Sequence, residues 1–471
     1  MTEPPPLPTE LPTLSEATRT WAKVAALSFG GPAGQIAVMH RILVDEKKWI
    51  SEDRFIHALN FCMLLPGPEA QQLATYIGWL MHGLRGGLIA GGLFILPGAV
   101  AILVLSLIYG EYQQTVAIQA LFFGLKPAIM AIVFEAVVRI GKRVLKNSTM
   151  YAIAAASFIA IFFFDIPFPL LVLAAGIIGY IGGRVAPARF IVLKGHGGSD
   201  SSGSISDLHL APAAPSWSRS LKVSVVCLTL WFGPLLALYA WLGPDSVYLQ
   251  QGLFFSKAAC VTFGGAYALL AYVQQEAVNT FHWVLAPEML DGLGMAETTP
   301  GPLIMVVQFV AYLGAYRHPG PLSPIAAGIL GSAITTWVTF VPCFYWIFLG
   351  APYIERMRGN RQLTAALSTI TAAVVGVVLN LAVWFALHTL FEKVEAQRYP
   401  LLTLNFPSPT DGPWIATLNF KLETPLWSTI SGGSCVIAVL AMLLTFRFQK
   451  GMVLTLSACA ALGVIWYLAA R

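Results

Sequence analysis

Two short stretches, Phe29-Gly30-Gly31-Pro32 and Leu65-Pro66-Gly67-Pro68, place glycine and proline inside apolar segments of the chain. Both recur further along at a constant offset of 234 in residue number, as Phe263-Gly264-Gly265 and Thr299-Pro300-Gly301-Pro302. The same offset relates Lys23 to Lys257, Val44 to Val278 and Trp49 to Trp283. After an insertion of 11 the offset becomes 245, from Pro97 to Pro342 and from Glu135 to Asn380. The sequence therefore predicts a tandem duplication.

Composition places the chain in a membrane. It is 57% hydrophobic and 11% charged, with a mean hydropathy of +0.71, whereas a soluble domain carries about 25% charged residues. We predict an all-α, polytopic protein of the cell membrane (inner or plasma membrane). The net charge of +5 is spread over loops, which fits cytoplasmic loops better than a nucleic-acid surface. The six cysteines form no CxxC pair and are expected to act as small hydrophobic residues.

Hydropathy predicts roughly thirteen spans of about 20 residues: 21–43, 55–82, 85–109, 115–139, 149–164, 167–184, 221–242, 250–273, 294–316, 322–350, 364–390, 426–447 and 451–470. The segment 55–82 could also be two half-helices. The predicted segments are a disordered cytoplasmic tail 1–20, a first repeat 21–193, a cytoplasmic linker 194–218, a second repeat 219–390, an extracytoplasmic loop or hairpin 391–425, and a C-terminal transmembrane hairpin 426–471.

Basic residues predict the orientation, because cytoplasmic loops are enriched in lysine and arginine. Basic clusters follow the even-numbered spans, which puts the N-terminus in the cytoplasm and the C-terminus outside. The loop 41–54 is also basic and runs against this pattern, although its four acidic residues offset the charge. Phe29 falls in the first span and Phe263 in the eighth, so the two copies would cross the bilayer in opposite directions. This predicts an inverted-topology repeat with broken helices, as in many secondary transporters; a miscount by one span would make the repeat parallel.

The broken motifs are suited to binding an anion. Proline interrupts the helical hydrogen-bond ladder, and such interruptions survive in a membrane only against protein or a water-filled cavity. They also create helix N-termini, whose free N–H groups attract negative charge. We therefore predict that substrate is bound by Gly30, Gly31, Pro32, Pro66, Gly67, Pro68, Gly264, Gly265, Pro300, Gly301 and Pro302. The alternative is that the motifs are ordinary kinks with glycine for packing.

Several polar residues within the apolar segments add to this hypothesis, because charges in a membrane are costly and usually functional. Gln35, Lys126 and Lys257 are predicted to bind the substrate. Glu69, Glu297 and Glu135 are candidates for coupling or gating, since a buried carboxylate can carry a proton. Glutamine could equally bond between helices, and Glu135 could form a structural ion pair with Arg139.

Motifs for other chemistry are missing from the sequence. There is no GxxxxGK[ST] motif, no HExxH motif and no GxSxG motif with plausible partners. We therefore expect no ATP-driven transport by this chain alone, no catalytic residues, no metal site and no cofactor.

These residues resemble the chromate ion transporter family. The resemblance rests on Phe29-Gly30-Gly31-Pro32, on Leu65-Pro66-Gly67-Pro68-Glu69-Ala70, on Leu96-Pro97-Gly98, and on their second-copy counterparts including Glu297-Thr298-Thr299. It covers about residues 21–184 and 250–390 and is similar to the long-chain, two-domain members. It implies chromate efflux and chromate resistance, driven by the electrochemical gradient, with sulfate as a structural analogue.

Export is energetically reasonable for a dianion such as chromate. Moving two charges out of a negative cell gains about 4.6 kcal/mol per 100 mV, which supports a gradient of about 2000-fold. Proton coupling is then allowed but not required. Three alternatives stay open: transport of sulfate or another oxyanion, an anion channel, and a membrane-embedded enzyme using Glu69 or His40. The expected partners are chromate, sulfate and the lipid bilayer, without nucleic acid, and a homodimer is compatible with the sequence.

Overall fold

The first copy of the duplication folds into helices. The computed structural model describes residues 11–192, 216–263, 265–353, 361–406 and 414–469. The first copy contains α1 Leu14–Leu27, α2 Gly31–His40, α3 Glu52–Cys62, α4 Glu69–Tyr112, α5 Val116–Val144, α6 Ser148–Phe164, α7 Phe168–Val185 and α8 Pro187–Phe190.

Helix α9, Trp217–Leu242, precedes the second copy. The second copy contains α10 Val247–Val261, α11 Ala266–Asn279, α12 Ala286–Thr298, α13 Val306–Arg317, α14 Pro324–Gly350, α15 Arg361–Leu390, the strands β1 Val394–Phe406 and β2 Trp414–Pro425, α16 Gly432–Met442 and α17 Met452–Ala469. A short 3-10 turn, Leu303–Met305, leads into α13.

Helix starts recur at fixed offsets between the two copies. The start of α12 follows that of α3 at the offset of 234, and the start of α15 follows that of α5 at the offset of 245. Helices α6 and α7 correspond to α16 and α17 at an offset of 284. This last increase in the offset is due to the β-hairpin, which stands where the first copy has only the short connection from α5 to α6. The C-terminal helix pair therefore matches the end of the first copy, a correspondence for which the sequence offers no motif.

The chain divides into two compact units that cut across both copies. Unit 1 comprises residues 1–118 and 194–360, and unit 2 comprises residues 119–193 and 361–471. Unit 1 thus holds α1–α4 and α9–α14, whereas unit 2 holds most of α5 and all of α6–α8 and α15–α17. Each unit contains matching parts of the two copies.

Helix α4 is a helical hairpin in unit 1, because its backbone leaves the helical region at His82 and Gly83. Its arms, 69–81 and 84–112, lie side by side. Thr75 and Gly91 would be about 24 Å apart along a straight helix, yet a Cβ on Gly91 would overlap the Thr75 hydroxyl. The closest backbone approach joins Gly78 and Gly86, where a Cβ on Gly78 would lie 2.5 Å from the Gly86 carbonyl oxygen. Small residues therefore allow the two arms to pack.

Unit 2 shows a paired glycine contact between its two halves. A Cβ on Gly124 of α5 would lie 2.9 Å from the Cα of Gly463 in α17. In the matching contact, a Cβ on Gly179 of α7 would lie 2.7 Å from the carbonyl oxygen of Ala365 in α15. Positions 124 and 463 correspond to positions 369 and 179 at the offsets above. Helix α5 of the first copy therefore packs on α17 of the second, and α7 of the first copy packs in the same way on α15 of the second.

The predicted hairpin of 391–425 forms, with β1 and β2 antiparallel in register from Val394 opposite Pro425 to Phe406 opposite Trp414. It is attached to the C-terminal end of α6 in unit 2. Asp165, which ends α6 in a left-handed conformation, pairs with Lys421 at 2.7 Å and with Arg398 at 3.3 Å. Phe420 also stacks on Phe163 with ring centroids 5.4 Å apart. Ion pairs and aromatic packing thus fix the hairpin to α6. Helix α6 follows the place in the first copy that corresponds to the insertion point of the hairpin in the second copy.

Several predicted boundaries differ from the structure. The tail predicted over 1–20 is helical from Leu14 onward, with Thr13 as its N-cap, and residues 1–10 lie outside the described part. Residues 194–215 of the predicted linker also lie outside it. Seven described helices are long and apolar enough to cross a membrane, and three shorter apolar helices accompany them, against roughly thirteen predicted spans. The difference arises because the predicted spans 21–43, 55–82 and 250–273 each contain a break.

We predict that the α4 hairpin is sensitive to added volume at Gly86 and not at Gly92. A Cβ on Gly86 would overlap the Gly78 carbonyl, whereas a Cβ on Gly92 in the same helix meets nothing within 4 Å. Gly86→Ala should therefore cost about 1–3 kcal/mol of stability, while Gly92→Ala should be neutral or slightly stabilising. Thermal unfolding of the purified variants in detergent measures this difference; equal melting temperatures would contradict the close packing of the two arms.

Candidate functional site

Each of the four duplicated motifs interrupts a helical segment of unit 1. The first, residues 28–30, separates α1 from α2, and its counterpart 262–265 separates α10 from α11. The second, residues 63–68, separates α3 from α4, and its counterpart 299–302 separates α12 from the turn before α13. Positive φ angles occur in all four interruptions, at Gly30 (86°), Gly67 (124°), Gly265 (96°) and Gly301 (99°). Glycine adopts such angles at little cost, which explains its presence in each motif.

Reciprocal backbone hydrogen bonds connect the interruptions of one copy with those of the other. The N–H of Gly301 donates to the carbonyl oxygen of Ser28 at 2.9 Å. The N–H of Gly67 donates to the carbonyl oxygen of Thr262 at 2.8 Å. The offset of 234 relates Ser28 to Thr262 and also Gly67 to Gly301, so one contact is made twice with the copies exchanged. Such self-complementary contacts are the mark of two-fold symmetry.

Close packing accompanies both hydrogen bonds. A Cβ on Gly301 would lie 3.0 Å from the Cα of Gly98, and a Cβ on Gly67 would lie 2.9 Å from the Sγ of Cys343. Gly98 and Cys343 correspond at the offset of 245. Both glycines therefore combine a positive φ angle with a contact that leaves no room for a side chain. The interruptions are packed backbone rather than loose kinks.

Two buried glutamine side chains hold carbonyl groups of the interruptions. The Nε2 of Gln35 in α2 donates to the carbonyl oxygen of Gly301 at 2.7 Å. The Nε2 of Gln72 in α4 donates to the carbonyl oxygen of Pro66 at 2.7 Å. The first bond joins the two copies, and the second stays within one copy. Gln35 therefore acts on the backbone of the opposite copy and reinforces the contact between Gly301 and Ser28.

Helix N-termini follow all four interruptions within this one unit. Helix α2 begins at Gly31, α4 at Glu69 and α11 at Ala266, while the turn at Leu303 leads into α13. The first N–H groups of a helix have no partner within the helix and carry partial positive charge. Unit 1 therefore offers backbone donors at four motif positions, which is the chemistry that binds an oxyanion.

One buried carboxylate lies beside two of these interruptions. Glu297, near the end of α12, is 2% exposed, and its Oε1 accepts a hydrogen bond of 2.6 Å from the hydroxyl of Tyr267. Tyr267 is the second residue of α11 and closely follows the 262–265 interruption. Glu69 is the first residue of α4 and half-buried. Carboxylates at such places repel an anion when ionised and accept it more readily when protonated.

The face of α14 that leads to Gly67 is lined by small and polar residues. Gly331, Thr335, Thr339 and Cys343 recur every four residues, and all are buried. Among the described residues, the hydroxyls of Thr335 and Thr339 have no hydrogen-bond partner. Buried hydroxyls in native proteins are normally satisfied by protein or water. This face therefore suits water or a polar ligand rather than lipid.

Two further buried carboxylates of α12, Asp291 and Glu288, were not predicted from the sequence. Asp291 is 4% exposed, and its Oδ2 accepts a hydrogen bond of 2.7 Å from the hydroxyl of Tyr109 in α4. Glu288, one turn earlier, pairs with Arg317 of α13, whose Nη1 lies 2.9 Å from Oε2. The predicted span 294–316 begins after Asp291, so these acidic residues were assigned to a loop. A helix start at Ala286, signalled by Pro287 and Glu288 in the first turn, would have identified them.

The remaining predicted site residues lie in different places. Lys257 is exposed on α10. Lys126 and Glu135 belong to α5 in unit 2, where Lys126 is half-buried and Glu135 pairs with Arg139 at 3.3 Å. Gly264 lies outside the described residues. The assignments of all site residues to substrate or coupling stay predictions.

The chain matches known proteins over both copies. The chromate transporter family matches residues 15–180 and 249–464; the second of these ranges extends through α16 and most of α17. The chain is 29% identical over 383 residues to a chromate transport protein of Pseudomonas aeruginosa, covering 81% of this chain and 82% of that protein. It is 25% identical over 383 residues to a chromate transport protein of Cupriavidus metallidurans, covering 81% and 84%.

A probable chromate transport protein of Synechococcus elongatus is 25% identical over 376 residues, which cover 79% of this chain and 84% of that protein. No solved structure matches the chain. The family match covers most of the sequence, includes both sets of duplicated motifs, and agrees with the apolar membrane helices. The chain is therefore a multi-pass membrane protein that belongs to the chromate transporter family.

Proposed function

We propose that this protein is a secondary-active transporter that exports chromate from the cytoplasm and thereby confers chromate resistance. The observation that carries the proposal is the reciprocal pair of backbone hydrogen bonds that joins the four glycine interruptions in unit 1. We infer the substrate from the relatives named as chromate transport proteins. The duplicated interruptions offer backbone N–H groups that can bind it.

Backbone donors suit a tetrahedral dianion. Chromate presents four oxygen atoms, and unit 1 has four helix N-termini at the duplicated motifs. A Cβ on Gly30, Gly31 or Gly265 would meet no atom within 4 Å, so an oxyanion can approach the backbone closely at these positions. A site made of N–H groups recognises charge and shape, and sulfate has the same charge and shape. Sulfate is therefore the second candidate cargo, and we expect it to compete with chromate.

The two-fold relation supports alternating access. In many secondary transporters two inverted repeats surround one central site and rock about it. Helix α9 precedes the second copy and places one additional crossing between the copies. If the first copy crosses the membrane an even number of times, an odd number of crossings separates corresponding residues of the two copies, which favours the inverted topology. The basic loops favour a cytoplasmic N-terminus in the cell membrane.

Glu297 is our candidate for a proton-dependent gate of the dianion site. Its carboxylate bonds to the first turn of α11 and lies just before the 299–302 interruption. An ionised carboxylate at this place would repel the dianion, and a bound proton would remove that repulsion. The protonation state of Glu297 would then control access of the dianion to the site, while the electrical potential drives its export.

Chromate uptake into everted membrane vesicles tests the proposed function. Energised everted vesicles are positive and acidic inside, so an exporter should accumulate chromate in them. We expect energised uptake that is inhibited by excess sulfate and abolished by an uncoupler. Equal uptake by vesicles without the protein would contradict chromate export. Uptake that follows only the chromate gradient, without dependence on energy, would indicate a channel.

We predict that Gly301→Ala lowers energised chromate uptake by at least about tenfold while the protein remains in the membrane. The added Cβ would press on Gly98 at a backbone angle that alanine disfavours, which disturbs the hydrogen bond to Ser28. A loss of about 1.4 kcal/mol corresponds to tenfold. Gly320→Ala is the matched control, because Gly320 also has a positive φ angle but has open space around it. Similar uptake by both variants would argue against a site at the interruption.

Gln35→Leu should reduce uptake without preventing membrane insertion, because it removes the side-chain donor to the Gly301 carbonyl and leaves a buried acceptor without that partner. We expect a reduction of about fivefold to tenfold. Vesicle uptake normalised to the amount of protein gives the effect. Gln250→Leu is a suitable control, since Gln250 lies at an exposed helix start. Unchanged uptake in Gln35→Leu would mean that this bond does not shape the site.

Glu297→Gln should remove the pH dependence of transport and leave the electrical driving force. Glutamine keeps the size and the acceptor for Tyr267 but cannot exchange a proton at neutral pH. We expect uptake driven by the electrical potential to fall in the wild type as the pH of the medium rises, and uptake by Glu297→Gln to lack this dependence. Persistent pH dependence in the variant would assign the gate to another group, with Asp291 the next to test.

A further inference from the structure

A cavity of about 410 Å³ opens at the start of α9 in unit 1, away from the glycine interruptions. Its walls come from three places: the bend of α4, the first turns of α9 and the end of α14. Trp79, Leu84 and Phe348 form apolar walls, while Ser218, Arg219 and Lys222 supply polar groups. No acidic side chain is among the described residues that line it. The cavity is therefore both basic and partly apolar.

Arg219 lines the cavity, and one of its guanidinium nitrogen atoms is a hydrogen-bond donor that no described residue uses. Its guanidinium group lies over the ring of Trp79, with 5.3 Å from Cζ to the ring centroid. Its Nη2 donates to the carbonyl oxygen of Phe348 at 3.5 Å. Its Nη1 is buried, and no described residue accepts a hydrogen bond from it. A buried donor of this kind calls for a partner, and guanidinium groups pair especially well with phosphate.

Lys222 adds a second positive charge one turn further along α9. Its position three residues after Arg219 puts both side chains on the same side of the helix. The start of α9 also has backbone N–H groups that favour an anion. Two cations and a helix N-terminus converge on one cavity, so the bound group should be an anion with several oxygen acceptors.

The surroundings of the cavity favour a lipid over a small soluble anion. Helix α9 is long and apolar enough to span a membrane, and Leu221, Val225 and Leu228 are 55%, 56% and 38% exposed along its outer side. Tryptophan and basic residues at the end of such a helix are typical of the membrane interface. Acyl chains can follow this apolar side while the headgroup occupies the cavity.

We propose that the cavity binds the phosphate headgroup of an anionic membrane phospholipid, with Arg219 and Lys222 as its ligands. A bound lipid would tie α9 to the bend of α4 and to the end of α14. Basic pockets between membrane helices bind anionic headgroups in this way. This lipid site is separate from the proposed chromate site, and neither proposal depends on the other.

The experiment measures phospholipid retention by the delipidated full chain in detergent, using native mass spectrometry. Phosphatidylglycerol and phosphatidylcholine are titrated separately into the wild type and into the double variant Arg219→Gln, Lys222→Gln. We expect the wild type to prefer phosphatidylglycerol and the double variant to bind it about 25-fold more weakly, at about fivefold per charge. Arg447→Gln, Lys450→Gln is the matched control, because these exposed basic residues are also three positions apart.

Equal affinity of the double variant and the wild type for phosphatidylglycerol would overturn the proposal, as would equal retention of phosphatidylcholine. Inorganic phosphate is tested as a competitor: if millimolar phosphate displaces the lipid completely, the ligand is a free phosphate and the lipid assignment is wrong. Lys222→Gln alone, at an exposed position, covers the case in which the double variant does not fold, and should weaken binding about fivefold. Arg219→Lys keeps the charge but loses the planar guanidinium group, so it should bind more weakly than the wild type and more tightly than the double variant.

Discussion

The architecture of unit 1 depends on one constraint, that backbone groups freed at a helix interruption must find partners where no bulk water is available. Four interruptions would leave many such groups inside the membrane. Some of these groups are satisfied by hydrogen bonds exchanged between the two copies. The N–H of Gly301 donates to the carbonyl oxygen of Ser28, and the N–H of Gly67 donates to that of Thr262. Each copy therefore satisfies backbone groups of the other. The hydroxyls of Ser28 and Thr262 return to the carbonyls of Val24 and Ala258, which are again related by the offset of 234.

This exchange explains why glycine is needed at particular positions. Gly67 and Gly301 have positive φ angles and lie against Cys343 and Gly98, respectively. The two copies differ in this partner, so the packing around each glycine has diverged while the hydrogen bond is the same. Gln35 reaches the opposite copy, whereas its counterpart position holds Leu269. The two copies thus share the backbone hydrogen bonds, whereas the side-chain bond made by Gln35 has no counterpart at Leu269.

Much of the fold could be predicted from the sequence, because glycine and proline motifs within apolar segments mark both the duplication and the interruptions. The offset of 234 places the start of α12 from that of α3 without error. The correspondence of α16 and α17 with α6 and α7 could not be recognised, because no motif marks those helices and the β-hairpin shifts the offset. Hydropathy also cannot distinguish a span from two short helices around a break. The acidic residues of α12, and the contact of Asp291 with Tyr109, depend on a helix start that apolar periodicity alone does not locate.

Neither copy is a folding domain in the usual sense. The first four helices of one copy share unit 1 with the corresponding helices of the other, and the later helices share unit 2 in the same manner. Paired contacts occur in both units, through backbone hydrogen bonds in unit 1 and through Gly124 and Gly179 in unit 2. A single copy would leave its interruptions and its glycine faces without their counterparts. Each copy therefore supplies partner groups to the other through these paired contacts.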